Sequence, residues 1–326
     1  MKQTARGYVL FVVLALFVTP AICSASDRAE GSFSRTLKVD GPVDLDVETG
    51  SGHINIRAGD GASLVVNAMI KAQEYHGSRA EDRVHQLESN PPIEQTGNVI
   101  RIGRIKDHDL RQNVSISYEL VVPAETRLRA STGSGNQSIE GVRGSLNINT
   151  GSGGLKIFNT GGEVHAETGS GNIELHSIKG PVQAHTGSGS IHAESVAGGF
   201  TGNTGSGSVT VGLTSSGNVD VETGSGSVEV SGVRGSLGAR TGSGRIRAEG
   251  TPAGNWRLHA GSGSIEVKLP PDAAFDLYAH TGSGHVSTNH PITVQGTIRP
   301  SEIRGKVRGG GPLLDVHTGS GSIQIE

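Results

Sequence analysis

The amino-acid sequence predicts an all-β fold: a β-solenoid of about 18-residue coils with a small α/β capping insertion near its N-terminus. A Thr-Gly-Ser-Gly turn begins at Thr49, Thr132, Thr150, Thr168, Thr186, Thr204, Thr223, Thr241, Thr281 and Thr318, and Ala260 opens an eleventh copy with Ala in place of Thr. From Thr132 to Ala260 the intervals are 18, 18, 18, 18, 19, 18 and 19 residues. That period is too short for the common helical repeats, and the Leu-x-x-Leu-x-Leu pattern of leucine-rich repeats is absent. On both sides of each turn apolar and polar residues alternate with period two, as in Val182-Gln183-Ala184 and Ile191-His192-Ala193, which is strand periodicity. Composition agrees. Of 326 residues 51 are glycine, 33% are hydrophobic and 3% aromatic, and the net charge is −3. This is too apolar-poor for a conventional core and too near neutrality for a disordered chain. The 12 prolines, without glycine at every third residue, exclude collagen, and the charge balance carries no bias toward nucleic acid.

The N-terminal segment, taken as residues 1–25, has the layout of a secretory signal. Lys2 and Arg6 precede an apolar run from Tyr8 to Val18, followed by Pro20, Ala21, Ser24 and Ala25. The run falls short of the ~20 residues that span a bilayer, and no later segment is apolar enough to cross one. Cleavage is expected after Cys23 or Ala25. Cys23 is the only cysteine, and Ile22 stands where a lipidation signal wants a small residue. The expected destination is export, to the periplasm, the cell surface or the medium.

Between Thr49 and Thr132 the interval widens to 83 residues, so residues 30–131 read as a first coil plus an inserted cap. Ser78-Arg79-Ala80-Glu81 is a capping-box pattern opening a helix with Ala80, Val84 and Leu87 on one face, ended by Pro91-Pro92. Strands are expected from Ile93 to Ile105, and through Val114, Ile116, Tyr118, Leu120 and Val122. Such a cap would shield the open end of the stack, since an exposed coil edge invites aggregation. Residues 132–290 are the regular solenoid, each coil being strand, Gly-rich turn, strand and second turn. Coils stacked about 4.8 Å apart bury a thin core of about four inward residues each. Antiparallel hairpins would show the same alternation, but hairpin turns rarely hold so exact a period. Residues 291–326 form a C-terminal coil and cap; the 37 residues from Thr281 to Thr318 predict one coil without the motif.

The turn glycines Gly133, Gly135, Gly151, Gly153, Gly169, Gly171, Gly187, Gly189, Gly205, Gly207, Gly224, Gly226, Gly242 and Gly244 are structural positions. Two reasons are expected: tight reversals that need positive φ, and corners where any side chain would meet its copy one coil away. The Thr and Ser hydroxyls should form ladders that cap turn amides.

The succession of an N-terminal strand pair, a helix-containing insertion, Leu120-Val121-Val122-Pro123, serial Thr-Gly-Ser-Gly coils, Arg304-Gly305 to Gly311, and Thr318-Gly319-Ser320-Gly321-Ser322-Ile323 resembles the bacterial "putative adhesin" β-strand-repeat family of unknown function. The resemblance spans residues 30–326 and implies a single-stranded right-handed β-helix in an exported bacterial protein. It carries over no catalytic residue.

No catalytic, cofactor-binding or metal-binding residue is assigned from the sequence. His259, His280 and His317 each precede a turn in the column of His185, so stacking could bring two together. With no cysteine or paired acid set beside them they read as a solvated outward column. Calcium-binding rolls need an Asp in every repeat, where this chain offers Ser and Thr. Glu174, Glu194 and Glu229 are scattered, without the acidic pair a glycosidase requires. Basic residues gather at Arg234, Arg240, Arg245 and Arg247 and at Arg299, Arg304, Lys306 and Arg308, read as solvated faces and a charged edge. Trp256 falls in an inward column; Tyr278 and Phe275 lie nearby. The function expected is a non-catalytic adhesive or structural module of the bacterial cell envelope, with a polysaccharide-binding or polysaccharide-cleaving protein as the alternative. Its expected partner is a surface glycan or other envelope component, and Ser322 to Glu326 is left open to edge pairing with another chain.

Overall fold

The computed structural model describes residues 28–75, 79–294 and 299–326; the expected secretory segment with Cys23, and Ser78 of the capping box, lie outside them. Strand β1 (Arg28–Lys38) leads into a first coil, β2 (Val43–Ser51) and β3 (Ile54–Gly59). The insertion follows as β4 (Ser63–Gln73), α1 (Ala80–Ser89), β5 (Ile93–Thr96), β6 (Val99–Ile102), α2 (His108–Arg111) and β7 (Val114–Pro123). Serial coils then run as β8 (Thr126–Ser134) with β9 (Gln137–Glu140), β10 (Leu146–Ser152) with β11 (Leu155–Thr160), β12 (Val164–Ser170) with β13 (Ile173–Ile178), and β14 (Val182–Thr186) with β15 (Ile191–Val196). They continue as β16 (Phe200–Thr204) with β17 (Val209–Leu213), β18 (Val219–Ser225) with β19 (Val228–Val233), β20 (Leu237–Ser243) with β21 (Ile246–Gly250), and β22 (Trp256–Ser262) with β23 (Ile265–Lys268). The C-terminal region adds β24 (Phe275–Ser283), β25 (Val286–Thr288), β26 (Ile292–Val294), β27 (Glu302–Val307), β28 (Leu313–Ser320) and β29 (Ile323–Ile325).

Each serial coil gives its first strand to a 15-stranded sheet, called II here, and its second to a 14-stranded sheet, called I. Neighbouring coils pair in parallel, Thr168 beside Thr150 and Thr186, and Ile191 beside Ile173 and Val209, so the array is not a meander of antiparallel hairpins. The inward residues of one coil are Val182, Ala184, Thr186, Ile191, Ala193 and Val196, all buried. That is six where about four were expected, because the motif threonine and a residue at the second corner also turn inward. Trp256 is wholly buried and its indole N–H donates to the Gly235 carbonyl at 3.0 Å.

At the N-terminal end the first coil stacks directly on the serial array, β2 on β8 and β3 on β9. The insertion extends the sheets outward from it: β7, β4 and β1 continue sheet I, with β4 antiparallel to β7 and β1 antiparallel to β4, while β6 and β5 continue sheet II. Helix α1 buries Ala80, Val84 and Leu87 as its pattern predicts. It also buries Arg83, whose guanidinium donates to the carbonyls of Gln73, Asp109 and Gln112. Glu88 of α1 accepts the Ser32 N–H of β1 at 2.8 Å, which occupies part of the outermost strand's free edge.

The C-terminal end departs from expectation. The residues between Thr281 and Thr318 do not make another coil. Strand β27 runs antiparallel to β24, and β26 antiparallel to β27. Arg308, Gly309 and Gly310, with φ of 49°, 86° and 92°, then reverse the chain. The coil of β28 and β29 returns between two coils formed by earlier parts of the chain: β28 lies between β22 and β24, and β29 between β23 and β25. The segment left open for pairing with another chain is thus flanked on both sides within this one.

The Thr-Gly-Ser-Gly corner is governed by stacking. A Cβ on Gly151 would lie 2.6 Å from the Gly133 carbonyl oxygen, and one on Gly153 would lie 2.0 Å from that of Gly135. The positive-φ reason does not hold for the glycines singled out above: among motif glycines only Gly52, Gly263, Gly284 and Gly321 have φ in the left-handed region. Left-handed residues instead fall at the second corner, in register, as Asn159, Ser177 and Ser195 with φ of 55°, 59° and 58°. The motif threonines from Thr132 onward are buried rather than lining the surface, and Thr49 is half-buried. Their hydroxyls donate to a carbonyl of the adjacent coil where they were expected to accept from turn amides: Thr168 to Gly153 at 2.9 Å, Thr186 to Gly171 at 2.9 Å and Thr204 to Gly189 at 2.7 Å. At the first coil Thr49 donates to Ile116 of β7 at 2.9 Å, so β7 takes the place of a preceding coil. Ala260 cannot make this bond.

Candidate functional site

Because side chains alternate across a strand, every second residue of a sheet II strand points outward, and in-register neighbours on adjacent strands line up in straight rows over the stack. All the singled-out turn glycines lie at the stacked corner, away from both outer faces. The two expected basic groups disperse. Arg240 points outward from sheet II and lies 3.8 Å from Asp220, whereas Arg247 points outward from sheet I and lies 3.4 Å from Glu266. Arg299 lies 3.9 Å from Glu302, and Arg308 donates to the Pro271 carbonyl at 3.1 Å. Glu174 pairs with Lys156 at 2.9 Å and Glu194 with His192 at 2.8 Å on sheet I, and neither faces a second free carboxylate at a groove.

The histidine column behaves differently, because β28 enters between β22 and β24. His259 lies beside His317, and His317 beside His280, so all three imidazoles are consecutive. One row outward on sheet II therefore reads His259, His317, His280 and Glu302 across β22, β28, β24 and β27; the row beside it reads Arg257, Asp315, Tyr278 and Arg304. An acid does stand beside the histidines, contrary to the sequence reading: Asp315 Oδ1 is 2.7 Å from His317 Nε2. The Tyr278 ring meets His317 edge-on at 5.0 Å between centroids, His280 and His317 are 6.1 Å apart, and the Arg304 guanidinium lies 5.6 Å from the Tyr278 centroid. Of the three nearby aromatics, Trp256 and Phe275 face inward and Tyr278 outward. His185, by contrast, lies between Glu167 and Asn203 with no histidine neighbour.

This array is half-exposed and flat. It can bind through ring faces, guanidinium groups and imidazole nitrogens carried on a backbone that the ladder holds in fixed register. The sequence does contain its clue: Asp315 and His317 are two apart before a turn, hence on one face. What it conceals is the return of β28 between two earlier strands. A shallow groove of about 650 Å³ lies elsewhere on sheet II near Arg101, Arg129 and His165, and a smaller one of about 320 Å³ on sheet I near Arg57, Asn67 and Glu119. Among the described residues no helix is long and apolar enough to cross a membrane.

Three solved structures overlap most of the chain at low identity. A "putative adhesin" from Bacteroides fragilis is 13% identical over 91% of this chain and 97% of its own, with a TM-score of 0.33. A "putative cell adhesion protein" from Clostridium sporogenes is 14% identical over 91% and 99%, with a TM-score of 0.20. A "putative lipid binding protein" from Parabacteroides distasonis is 14% identical over 90% and 96%, with a TM-score of 0.41. No curated protein matches the chain. Residues 163–326, half of the chain and the part that carries the C-terminal coils and the two outward rows, match the Toastrack DUF4097 family, and the chain belongs to that family.

Proposed function

We propose that this protein is an exported, non-catalytic β-solenoid that serves the bacterial envelope as an adhesive or structural module, wound as a single-stranded right-handed β-helix of about 18 residues per coil. The observation that carries the reading is the pair of outward rows at the C-terminal end of sheet II, where Tyr278, three imidazoles and the guanidinium groups of Arg257 and Arg304 lie on four adjacent strands. A flat, rigid and regularly spaced face suits an extended partner such as a surface glycan or other envelope component better than a small enclosed substrate. The secretory layout of residues 1–25 supports export to the periplasm, the cell surface or the medium. Pairing between copies would use strands with a free edge, such as β25 or β26, rather than β29.

A glycan array probed with the full chain, alongside polysaccharide turnover assays, tests this. The expected result is saturable binding that falls at least tenfold in Tyr278→Ala or Arg304→Ala, without turnover. Cleavage of a polysaccharide that disappears in Asp315→Asn or Glu302→Gln would overturn it in favour of an enzyme on the same scaffold, since these two carboxylates share the face.

A further inference from the structure

We propose that the histidine row of sheet II is an open binding site for a divalent transition-metal ion of the imidazole-preferring class, Zn²⁺, Ni²⁺ or Cu²⁺, with His317 and His280 as its first ligands and His259 completing it. Residues paired across parallel strands stand about 4.8 Å apart, and these three imidazoles leave their strands on the same side at the same level. The Asp315 carboxylate, 2.7 Å from His317 Nε2, accepts the proton of that nitrogen and so leaves the Nδ1 lone pair of His317 for a metal. A carboxylate that fixes the tautomer of a ligating histidine is the recurrent support of imidazole–metal sites.

The geometry is close to that of a bound pair. Two imidazoles on one tetrahedral ion, with metal–nitrogen distances of about 2.0–2.1 Å, place their ring centroids about 5 Å apart. His280 and His317 are 6.1 Å apart with an interplanar angle of 61°, so closure needs a shift of about 1 Å, within the reach of side-chain rotation. Neither the His259 nor the His280 imidazole has a hydrogen-bond partner among the described residues, so both rings can rotate without breaking one. Among the described residues no three ligating side chains already converge on one point. The ion is therefore captured by two imidazoles with water in the remaining positions, and His259 joins on turning. His176 and His192 on sheet I differ in kind: both rings point at the Glu194 carboxylate, at 3.4 and 2.8 Å.

Isothermal titration of the tag-free chain with NiCl₂ and ZnCl₂, together with nitrogen hyperfine structure in the electron paramagnetic resonance spectrum of added Cu²⁺, tests the site. One equivalent should bind, with two or three coordinated nitrogens. Affinity should fall at least tenfold in His317→Ala and in His280→Ala and about 10- to 100-fold in Asp315→Asn, while His192→Ala binds as wild type. Circular dichroism of each variant checks that the sheets persist, and His280→Ala serves if His317→Ala unfolds. Absence of saturable binding, or loss of binding in His192→Ala with His317→Ala unaffected, overturns the proposal.

Discussion

If stacking, and not turn geometry, demands glycine at the corner, the same substitution at different motif glycines should cost different amounts. At Gly50, in the first coil, a new Cβ meets nothing within 4 Å; at Gly151 it lies 2.6 Å from the Gly133 oxygen; at Gly153 it lies 2.0 Å from the Gly135 oxygen. Such contacts require at least about 3 Å, so Gly151→Ala forces a displacement of about 0.4 Å and Gly153→Ala one of about 1 Å between coils. The second shift breaks the bond from the Gly135 N–H to the Ser152 carbonyl, now 3.1 Å, and crowds the Thr150 hydroxyl, 3.2 Å from the new methyl. Overpacking of about 1–3 kcal/mol plus about 1 kcal/mol for each bond lost gives about 2–4 kcal/mol for Gly153→Ala. Gly151→Ala should cost about 1 kcal/mol, and Gly50→Ala should stay within about 0.5 kcal/mol of wild type. Urea unfolding followed by circular dichroism and by Trp256 fluorescence measures all three. Equal losses in Gly50→Ala and Gly153→Ala would refute the stacking argument and return the glycines to local turn geometry.

Other substitutions probe the remaining columns. Thr186→Val removes a hydroxyl donor from a buried carbonyl and should cost about 1 kcal/mol, whereas Ala260→Thr, which supplies the one donor missing from the serial coils, should gain up to about 1 kcal/mol in the same unfolding assay. Ser195→Gly relieves a left-handed serine, and the release should outweigh glycine's extra backbone entropy by about 0.5–1 kcal/mol, seen as a higher urea midpoint. Tyr118 is fully buried in the cap with its hydroxyl unpartnered, and burial, assisted by Glu48, holds the phenol protonated well above its ordinary range. Because the folded value is raised, that contribution to stability is complete below pH about 10 and is lost as pH climbs beyond it. Tyr118→Phe should therefore unfold no more easily than wild type at pH 7 and should resist alkaline unfolding better; a steeper alkaline loss in the variant would contradict this.

The period, the strand columns and the cap helix were legible because each rests on local spacing. Val182, Ala184, Ile191 and Ala193 must face one way once strands alternate, and Ala80, Val84 and Leu87 once a helix does. What lay beyond reach depends on the neighbouring coil. The burial of Thr186 is decided by the Gly171 carbonyl it meets, and the need for glycine at 153 by the oxygen of Gly135. Four arginines close in sequence looked like a patch, yet Arg240 and Arg247 lie on opposite sheets because the chain turns the corner between them. The three-histidine row was half legible: the shared column could be read, but not the order of coils. The 37-residue interval equals two periods whether it holds a coil or a returning antiparallel pair, so spacing alone could not separate them.

The place of β28 and β29 also fixes a sequence of events. A chain made from its N-terminus can complete the coils up to β23 as it emerges, but the coil of β24 and β25, held on its far side only by the antiparallel β27, has no coil to stack against until Leu313–Ile325 arrives. For that interval both flanking coils present unpaired backbone toward a gap one strand wide. A chain shortened after Gly311 would keep the gap permanently, and the equivalent segment of a second molecule has the right length and register to fill it. The segment acts as a keystone, laid after the stones on either side of it.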